Sequence, residues 1–176
     1  SYDDVVAGAK QQLDAKNTTL KKAKTEYEDT KKAVDGNIKS LNSERDAVSK
    51  VIKTRQSEID NLKDANTVVG KNSQTYKDNK KAIEWTEAEL KEANKQYKDL
   101  TKQIDAQNAR LRNSEDSYKT ARDEADKAGA QYQTLSKNMA EVTRQEKALK
   151  IQDAGDKIKN FGEGVDDATK PLQTLA

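Results

Sequence analysis

Apolar residues recur every seven positions along most of this chain, from Val6 to Met139. Arg55 is the one charged residue on this heptad grid. A strict seven-residue repeat keeps one stripe of a helix against a partner helix, which is typical of a coiled coil. We call this stripe the seam. Its predicted residues are Leu13, Leu20, Tyr27, Val34, Leu41, Val48, Leu62, Ile83, Leu90, Tyr97, Ile104, Leu111, Tyr118, Tyr132 and Met139.

Many grid residues are followed within the same heptad by a second apolar residue, which we call the companion. The spacing between grid residue and companion changes near the middle of the chain. In the first half they lie four residues after a grid position, as at Ile38 and Ile52. From Leu90 onward they lie three residues after one, as at Ala93 and Leu100. Both spacings occur in coiled coils, but the switch rotates the apolar stripe about the helix axis. A change of partner or of packing face near the midpoint would explain it.

The best candidate for a hinge is the segment 69–73, with Gly70 at its centre and Ser73 suited to cap a following helix. A sharp turn here would produce an antiparallel hairpin with two nearly equal arms. Against this, the grid crosses the hinge in phase, from Leu62 to Tyr76. A loop would preserve that phase by chance only about one time in seven, so the pattern favours a continuous helix.

We therefore predict an all-α fold of long, extended coiled-coil helices, with an antiparallel helical hairpin turning near residues 69–73 as the alternative. The predicted organisation is a first helix over 1–68, a hinge over 69–73 and a second helix over 74–150. Residues 151–176 form an amphipathic segment punctuated by glycine that leads out of the coiled coil. Gly36 lies within the helical period and is expected to be tolerated at a cost of about 1 kcal/mol.

Composition supports an elongated helical protein rather than a globular one. Of the 176 residues, 36% are charged and only 32% are hydrophobic, and the mean hydropathy is −1.14. That is enough apolar surface for a stripe but not for a compact core. The 33 basic and 31 acidic residues are interleaved, which argues against a specific nucleic-acid partner because phosphate binding needs a sustained basic face.

The start of the chain and its apolar runs bear on membranes and on processing. No apolar run approaches the roughly 20 residues that span a bilayer, so no membrane contact is expected from this segment. The N-terminal Ser-Tyr-Asp-Asp does not resemble a signal peptide. We interpret the chain as a segment of a longer protein.

Residue types that carry out chemistry are scarce. The chain has no histidine and no cysteine, which removes the commonest general bases, thiol nucleophiles and zinc ligands. Neither a phosphate-binding glycine loop nor the calcium-loop spacing is present. We predict that the protein is not an enzyme and has no catalytic, cofactor-binding or metal-binding residues and no cofactor.

Polar residues fall at or near companion positions of the seam. A buried asparagine in a coiled coil fixes register while lowering stability; the alternative is that these positions are simply hydrated and weakly packed. Under either interpretation the seam is weak enough to slide or unzip. The residues concerned are Asn37, Asn72, Asn79, Gln107 and Ser114.

Trp85 is the only tryptophan and lies two residues past a grid position, off the seam. Ala82 and Ala88 lie on the same helical face and extend the apolar patch. Tryptophan is a frequent anchor in protein interfaces, so Trp85 is a possible partner contact. Packing against a third helix or the other arm of a hairpin is the alternative that we favour.

Two stretches carry a family resemblance. One is GKNSQTY at 70–76, followed by AEL at 88–90 and a long charged helix; the other is AGDKIKNFGEGV at 154–165, followed by KPL at 170–172. They resemble the tape measure proteins of long-tailed bacteriophages and related prophages of Gram-positive bacteria. In that family an N-terminal coiled coil is similarly closed by a glycine-punctuated amphipathic segment. The long apolar segments and repeats of the family are missing from this chain.

The resemblance implies a structural role in the virion tail, which is assembled in the host cytoplasm. Such proteins self-associate, as trimers, along the tube lumen, contact tail-tube and tail-end proteins, set tail length and leave during genome delivery. If continuous, residues 6–149 would span roughly 215 Å at about 1.5 Å per residue. The alternative class is a coiled-coil spacer or interaction arm of a bacterial surface protein or cell-wall hydrolase.

Overall fold

The computed structural model describes the backbone of residues 1–154 and the side chains of residues 1–149. Within that part of the chain there are two long helices, α1 (Tyr2–Val68) and α2 (Gln74–Ala154), and no strand. The prediction of an all-α fold of long coiled-coil helices is confirmed. Of the two arrangements considered, the structure has the antiparallel hairpin, and the helix is not continuous through 69–73. The glycine-punctuated segment predicted over 151–176 lies, from residue 155 onward, outside the described residues.

Helix α1 begins with a serine cap and an acidic first turn. The backbone N–H of Asp4 donates to Ser1 Oγ at 3.4 Å, and the N–H of Val5 donates to the Ser1 carbonyl at 3.3 Å. Asp3 and Asp4 place negative charge at the positive end of the helix dipole. These contacts satisfy N–H groups that have no partner within the helix.

The turn between the helices is held by Ser73. Its hydroxyl donates to the Gly70 carbonyl at 2.6 Å and accepts the backbone N–H of Tyr76 at 3.2 Å. Its own N–H donates to the same Gly70 carbonyl at 3.0 Å. Ser73 is therefore the N-cap of α2, and the same side chain also bonds to the Gly70 carbonyl within the turn.

The chain divides into two compact units, and both helices pass through both of them. Unit 1 pairs Ser1–Asp29 with the part of α2 that begins at Arg112. Its core is small: two leucines of α1 face two alanines of α2, and partly buried alanines and tyrosines surround them. The residues of this cluster are Leu13, Leu20, Ala121 and Ala125, with Ala23, Tyr118, Ala128 and Tyr132 around them.

Unit 2 spans Thr30–Leu111 and contains the turn. Its contacts show that the chain reverses: Asn37 bonds to Gln107, whereas Asn66, much closer to the turn, bonds to Asn79. Partners in α2 therefore have lower numbers as α1 is followed towards Val68, which is the pattern of an antiparallel pair. The buried apolar residues of this unit are Val34, Ile59, Ala93, Leu100 and Ile104.

Chain reversal also accounts for the change in companion spacing. A residue four positions after a grid position in α1 faces a residue four positions before a grid position in α2, because the helices run in opposite directions. In a seven-residue repeat, four before one grid position is three after the previous one. Asn66, four after Leu62, accordingly bonds to Asn79, three after Tyr76. Neither a new partner nor a new packing face is needed.

Candidate functional site

The predicted seam residues line the contact between the helices with uneven burial. Leu13, Leu20, Val34 and Ile104 are buried, and Tyr97 is 38% exposed. The other predicted seam residues are half-buried. A helix with a single neighbour can cover only one side of each side chain, so most of the seam borders on water. Burying a leucine or valine completely stabilises a protein by about 1.5–3 kcal/mol, and few seam positions reach that limit.

Polar and aromatic groups border the seam of unit 1. Lys16 Nζ lies 2.9 Å from Glu124 Oε2, with both side chains nearly half exposed. The hydroxyl of Tyr27 donates to Glu115 Oε1 at 3.1 Å, and its ring lies 5.5 Å from that of Tyr118. An exposed ion pair contributes about 0–1 kcal/mol, so these contacts set alignment more than stability.

Arg55, the one charged residue on the grid, lies half-buried between acidic groups. Its Nη1 donates to Glu58 Oε1 at 3.0 Å. Its Nε lies 2.7 Å from Glu89 Oε2 on the opposite helix, but the N–H is not aligned with that oxygen, so the contact is an ion pair rather than a directed hydrogen bond. The carboxylates explain why a charge is tolerated in the seam, and the sequence alone did not identify them.

The predicted polar companions have different surroundings. Asn79 donates to Asn66 at 2.9 Å in a part-buried pair, and Asn66 also donates to the Tyr76 carbonyl. The bond from Asn37 to Gln107, at 3.1 Å, is exposed. The register-fixing interpretation therefore suits the pair beside the turn, and the hydrated interpretation suits the more distant pair. Of the others, Asn72 lies exposed in the turn and Ser114 is half-buried.

Arg45 forms a second cross-helix contact that sequence reasoning missed. Its guanidinium carbon lies 5.5 Å from the centre of the Tyr97 ring, and its Nη1 donates to Thr101 Oγ1 at 3.3 Å. Arg45 lies four residues after Leu41, at a companion position that is apolar at Ile38 and Ile52 but charged here. A cation over a tyrosine ring contributes about 0.5–1 kcal/mol at an exposed site.

Trp85 projects from the outer surface of α2. Its side chain is 71% exposed, so it does not pack into the other arm; the other form of the favoured alternative, packing against a third helix, stays a prediction. The indole N–H donates to Glu89 Oε1, whose second oxygen faces Arg55. One carboxylate thus connects the exposed ring to the seam.

The helix face around the exposed ring carries both signs of charge. Lys81 lies about one turn before Trp85 and is exposed, and Glu92 lies two turns after it. Glu87, two positions after Trp85, lies on another face of α2, where Lys63 of α1 is 3.9 Å from it. This surface therefore offers one large apolar group among charged residues of both signs, so it suits a partner that offers an apolar pocket.

No group of residues suited to metal binding occurs among the described residues. Within the residues that the structure describes, neither α1 nor α2 contains a stretch that is long and apolar enough to cross a bilayer. Comparison with family models, with curated proteins and with solved structures gives no match to this chain. The candidate site therefore consists of two features: a thin, partly polar seam and an exposed tryptophan on the outer surface of α2.

Proposed function

We propose that this chain is a coiled-coil segment of a phage tail tape measure protein, which sets tail length and templates assembly of the tail tube. The observation that carries the proposal is that almost all of the described chain forms two long helices. Among the described residues only Ser1 and the five residues of the turn lie outside the two helices. The resemblance of residues 70–76, 88–90, 154–165 and 170–172 to that family supports the same role.

The weak contacts along the seam suit a tape measure protein, which must leave the tail tube again. Only a few seam residues are buried, and the cross-helix ion pairs are largely exposed. Contacts of this kind are individually weak and screened by salt. In the proposed role the segment self-associates, as a trimer, inside the virion tail, contacts tail-tube and tail-end proteins, and is ejected during genome delivery.

The test is a deletion that removes matching heptads from both arms of the full-length protein. Deleting 35–48 together with 97–110 removes 28 residues and preserves the heptad phase on both sides. If the segment measures length as a continuous helix, tails shorten by roughly 42 Å, from about 1.5 Å per residue. If it measures as a hairpin, the shortening is about half of that. Tail lengths are measured by electron microscopy of assembled particles.

The control is reinsertion of four unrelated coiled-coil heptads in the same two places. Restored tail length shows that length, and not the sequence of the removed block, is what is measured. Tails of unchanged length in the deletion variant contradict the proposal.

A second candidate is the spacer or interaction arm of a bacterial surface protein or cell-wall hydrolase, and the exposure of Trp85 favours it. A closed hairpin that displays an anchoring residue at 71% exposure is suited to docking. The two candidates differ in whether the hairpin must open. Locking it by crosslinking cysteines introduced at Asn66 and Asn79 leaves an arm active, whereas it shortens the reach of a continuous ruler.

A further inference from the structure

The contacts of the hairpin are arranged symmetrically about one point in the sequence. Tyr27 contacts Tyr118 in unit 1, and Asn66 bonds to Asn79 in unit 2. In each pair the two residues lie equally far from the midpoint between Asn72 and Ser73. Such a chain is self-complementary: α1 of one copy offers α2 of a second copy the contacts that α2 of its own chain receives.

The seven-residue spacing of the grid is kept through the turn, and the hairpin does not explain why. In a hairpin each arm presents its own stripe to the other, and the non-helical residues between them break the helical phase, so the hairpin alone does not require Leu62, Val69, Tyr76 and Ile83 to keep one seven-residue step. A helix that continues through 69–73 does require it. The companion switch amounts to three extra residues in the heptad pattern, which a continuous coiled coil accommodates by local overwinding.

The turn itself is weakly specified. Gly70 does not use the left-handed backbone conformation, and nothing lies within 4 Å of the position that a Cβ would take. The segment 69–73 contains no proline. Within 69–73 the bonds that hold the turn involve the side chain of Ser73, and Asn66 joins the adjoining ends of the two helices by its bonds to Asn79 and the Tyr76 carbonyl. Alanine at both positions would therefore permit the helix to continue without a clash.

We propose that this chain exchanges arms with a second copy of itself. Residues 69–73 become helical, and α1 of each copy packs antiparallel on α2 of the other. Every cross-helix pair of the hairpin is retained, and a new layer brings Val69 of one copy opposite Tyr76 of the other. The exchange is independent of the proposed role in phage tails, because it follows from the symmetry of the contacts and the phase of the grid.

The energetics make the exchange depend on concentration. The closed and exchanged forms share their seam contacts, so the balance lies between the Ser73 cap, which favours closure, and the additional helical residues and new layer, which favour exchange. Association of two chains costs entropy that only protein concentration offsets. Dilute protein is therefore a monomeric hairpin, and concentrated protein is an antiparallel dimer.

The test combines Gly70→Ala with Ser73→Ala, which removes the cap and improves helix propensity in the turn. The matched control is Gly36→Ala with Ser57→Ala, which makes the same residue changes within α1; nothing lies near the Cβ position of Gly36, and Ser57 is exposed. Sedimentation equilibrium over micromolar to millimolar protein gives the dissociation constant. We expect the turn variant to dimerise at least about tenfold more tightly than the control, with helix content unchanged by circular dichroism.

Thiol crosslinking establishes the direction of the chains. The chain has no cysteine, so Asn66→Cys and Asn79→Cys are introduced into the turn variant and joined with a short crosslinker. A product at dimer mass from the double-cysteine protein supports exchange. A monomeric turn variant of native helix content at millimolar concentration overturns the proposal. Efficient crosslinking between copies that carry only Asn66→Cys also overturns it, because that product requires parallel chains.

Discussion

At the scale of single residues, the polar groups in and beside the seam carry more information than the apolar ones. Leucine and valine positions repeat along both helices and permit many registers, each offset by a heptad. Arg55 has specific partners in Glu58 and Glu89, and Asn66 bonds to Asn79 beside the turn. A slip by one heptad would break these pairs and leave polar groups half-buried without partners.

Replacing Glu89 alone is expected to destabilise the protein more than replacing both Glu89 and Arg55. Glu89→Gln leaves the guanidinium of Arg55 at the seam with only Glu58 as a charged partner, whereas Arg55→Met with Glu89→Gln removes the charges of both partners. We expect a loss of about 1 kcal/mol for the single variant, and less for the double variant. Urea unfolding followed by circular dichroism measures both.

Lys16→Ala is the comparison, because its pair with Glu124 is exposed and its loss should cost well under 1 kcal/mol. Equal losses for Glu89→Gln and Lys16→Ala would show that the half-buried position of Arg55 has no energetic importance.

Trp85→Ala is expected to change stability by no more than about 0.5 kcal/mol, because the side chain is 71% exposed. Thermal unfolding measures this, and tryptophan fluorescence of the parent protein provides a check: emission should be that of an indole in water. A large loss of stability would show that the ring has a structural role. A small one agrees with the use of the ring as a partner contact, which a binding measurement must test.

At the scale of helices, both elements are stable through length and pairing rather than through a strong apolar face. Gly36 lies in the middle of α1 with open space around its Cβ position. Glycine costs about 1 kcal/mol relative to alanine inside a helix, since its backbone loses more freedom on folding.

Gly36→Ala should therefore raise the free energy of unfolding by up to about 1 kcal/mol. Denaturant unfolding measures the gain, and Gly8→Ala, at another open helical position, is the companion variant, with a smaller effect expected near the helix end. A destabilised Gly36→Ala protein would mean that this glycine is required for close approach of another chain.

At the scale of the whole molecule, the two units differ in the sequence separation between residues that contact each other across the helices. Asn66 and Asn79 are 13 residues apart, whereas Lys16 and Glu124 are 108 apart. Loop-closure entropy grows by about 0.6 kcal/mol for each doubling of length, so an isolated contact in unit 1 costs about 2 kcal/mol more to form than one beside the turn. Folding is expected to begin at the turn and proceed towards the chain ends.

Hydrogen exchange should then divide the chain along the same lines. We expect amides of 1–29 and 112–149 to exchange faster than those of 30–68 and 74–111. Leu20→Ala, at a fully buried position, should accelerate exchange in the first set only, and Ile59→Ala should accelerate it in both. Uniform protection along both helices would show that the units open together.

The sequence by itself determined the all-α class, the helical stretches and the stripe by which they pack, because these depend on local periodicity. It also indicated Ser73 as a cap and 69–73 as the interruption, because capping is local chemistry. The change of companion spacing from four residues to three already indicated antiparallel pairing. The phase of the grid, by contrast, favoured a continuous helix, which is not the observed arrangement.

Only the tertiary structure decided that the helices form a hairpin, which residues meet across the seam and that Trp85 points outward. A heptad repeat fixes which face of a helix is buried but not whether the partner is the same chain or another, since both offer the same stripe. The partners of Arg55 and Arg45 depend on that choice, because antiparallel packing brings together residues far apart in sequence. The self-complementarity of the two arms follows from the same packing.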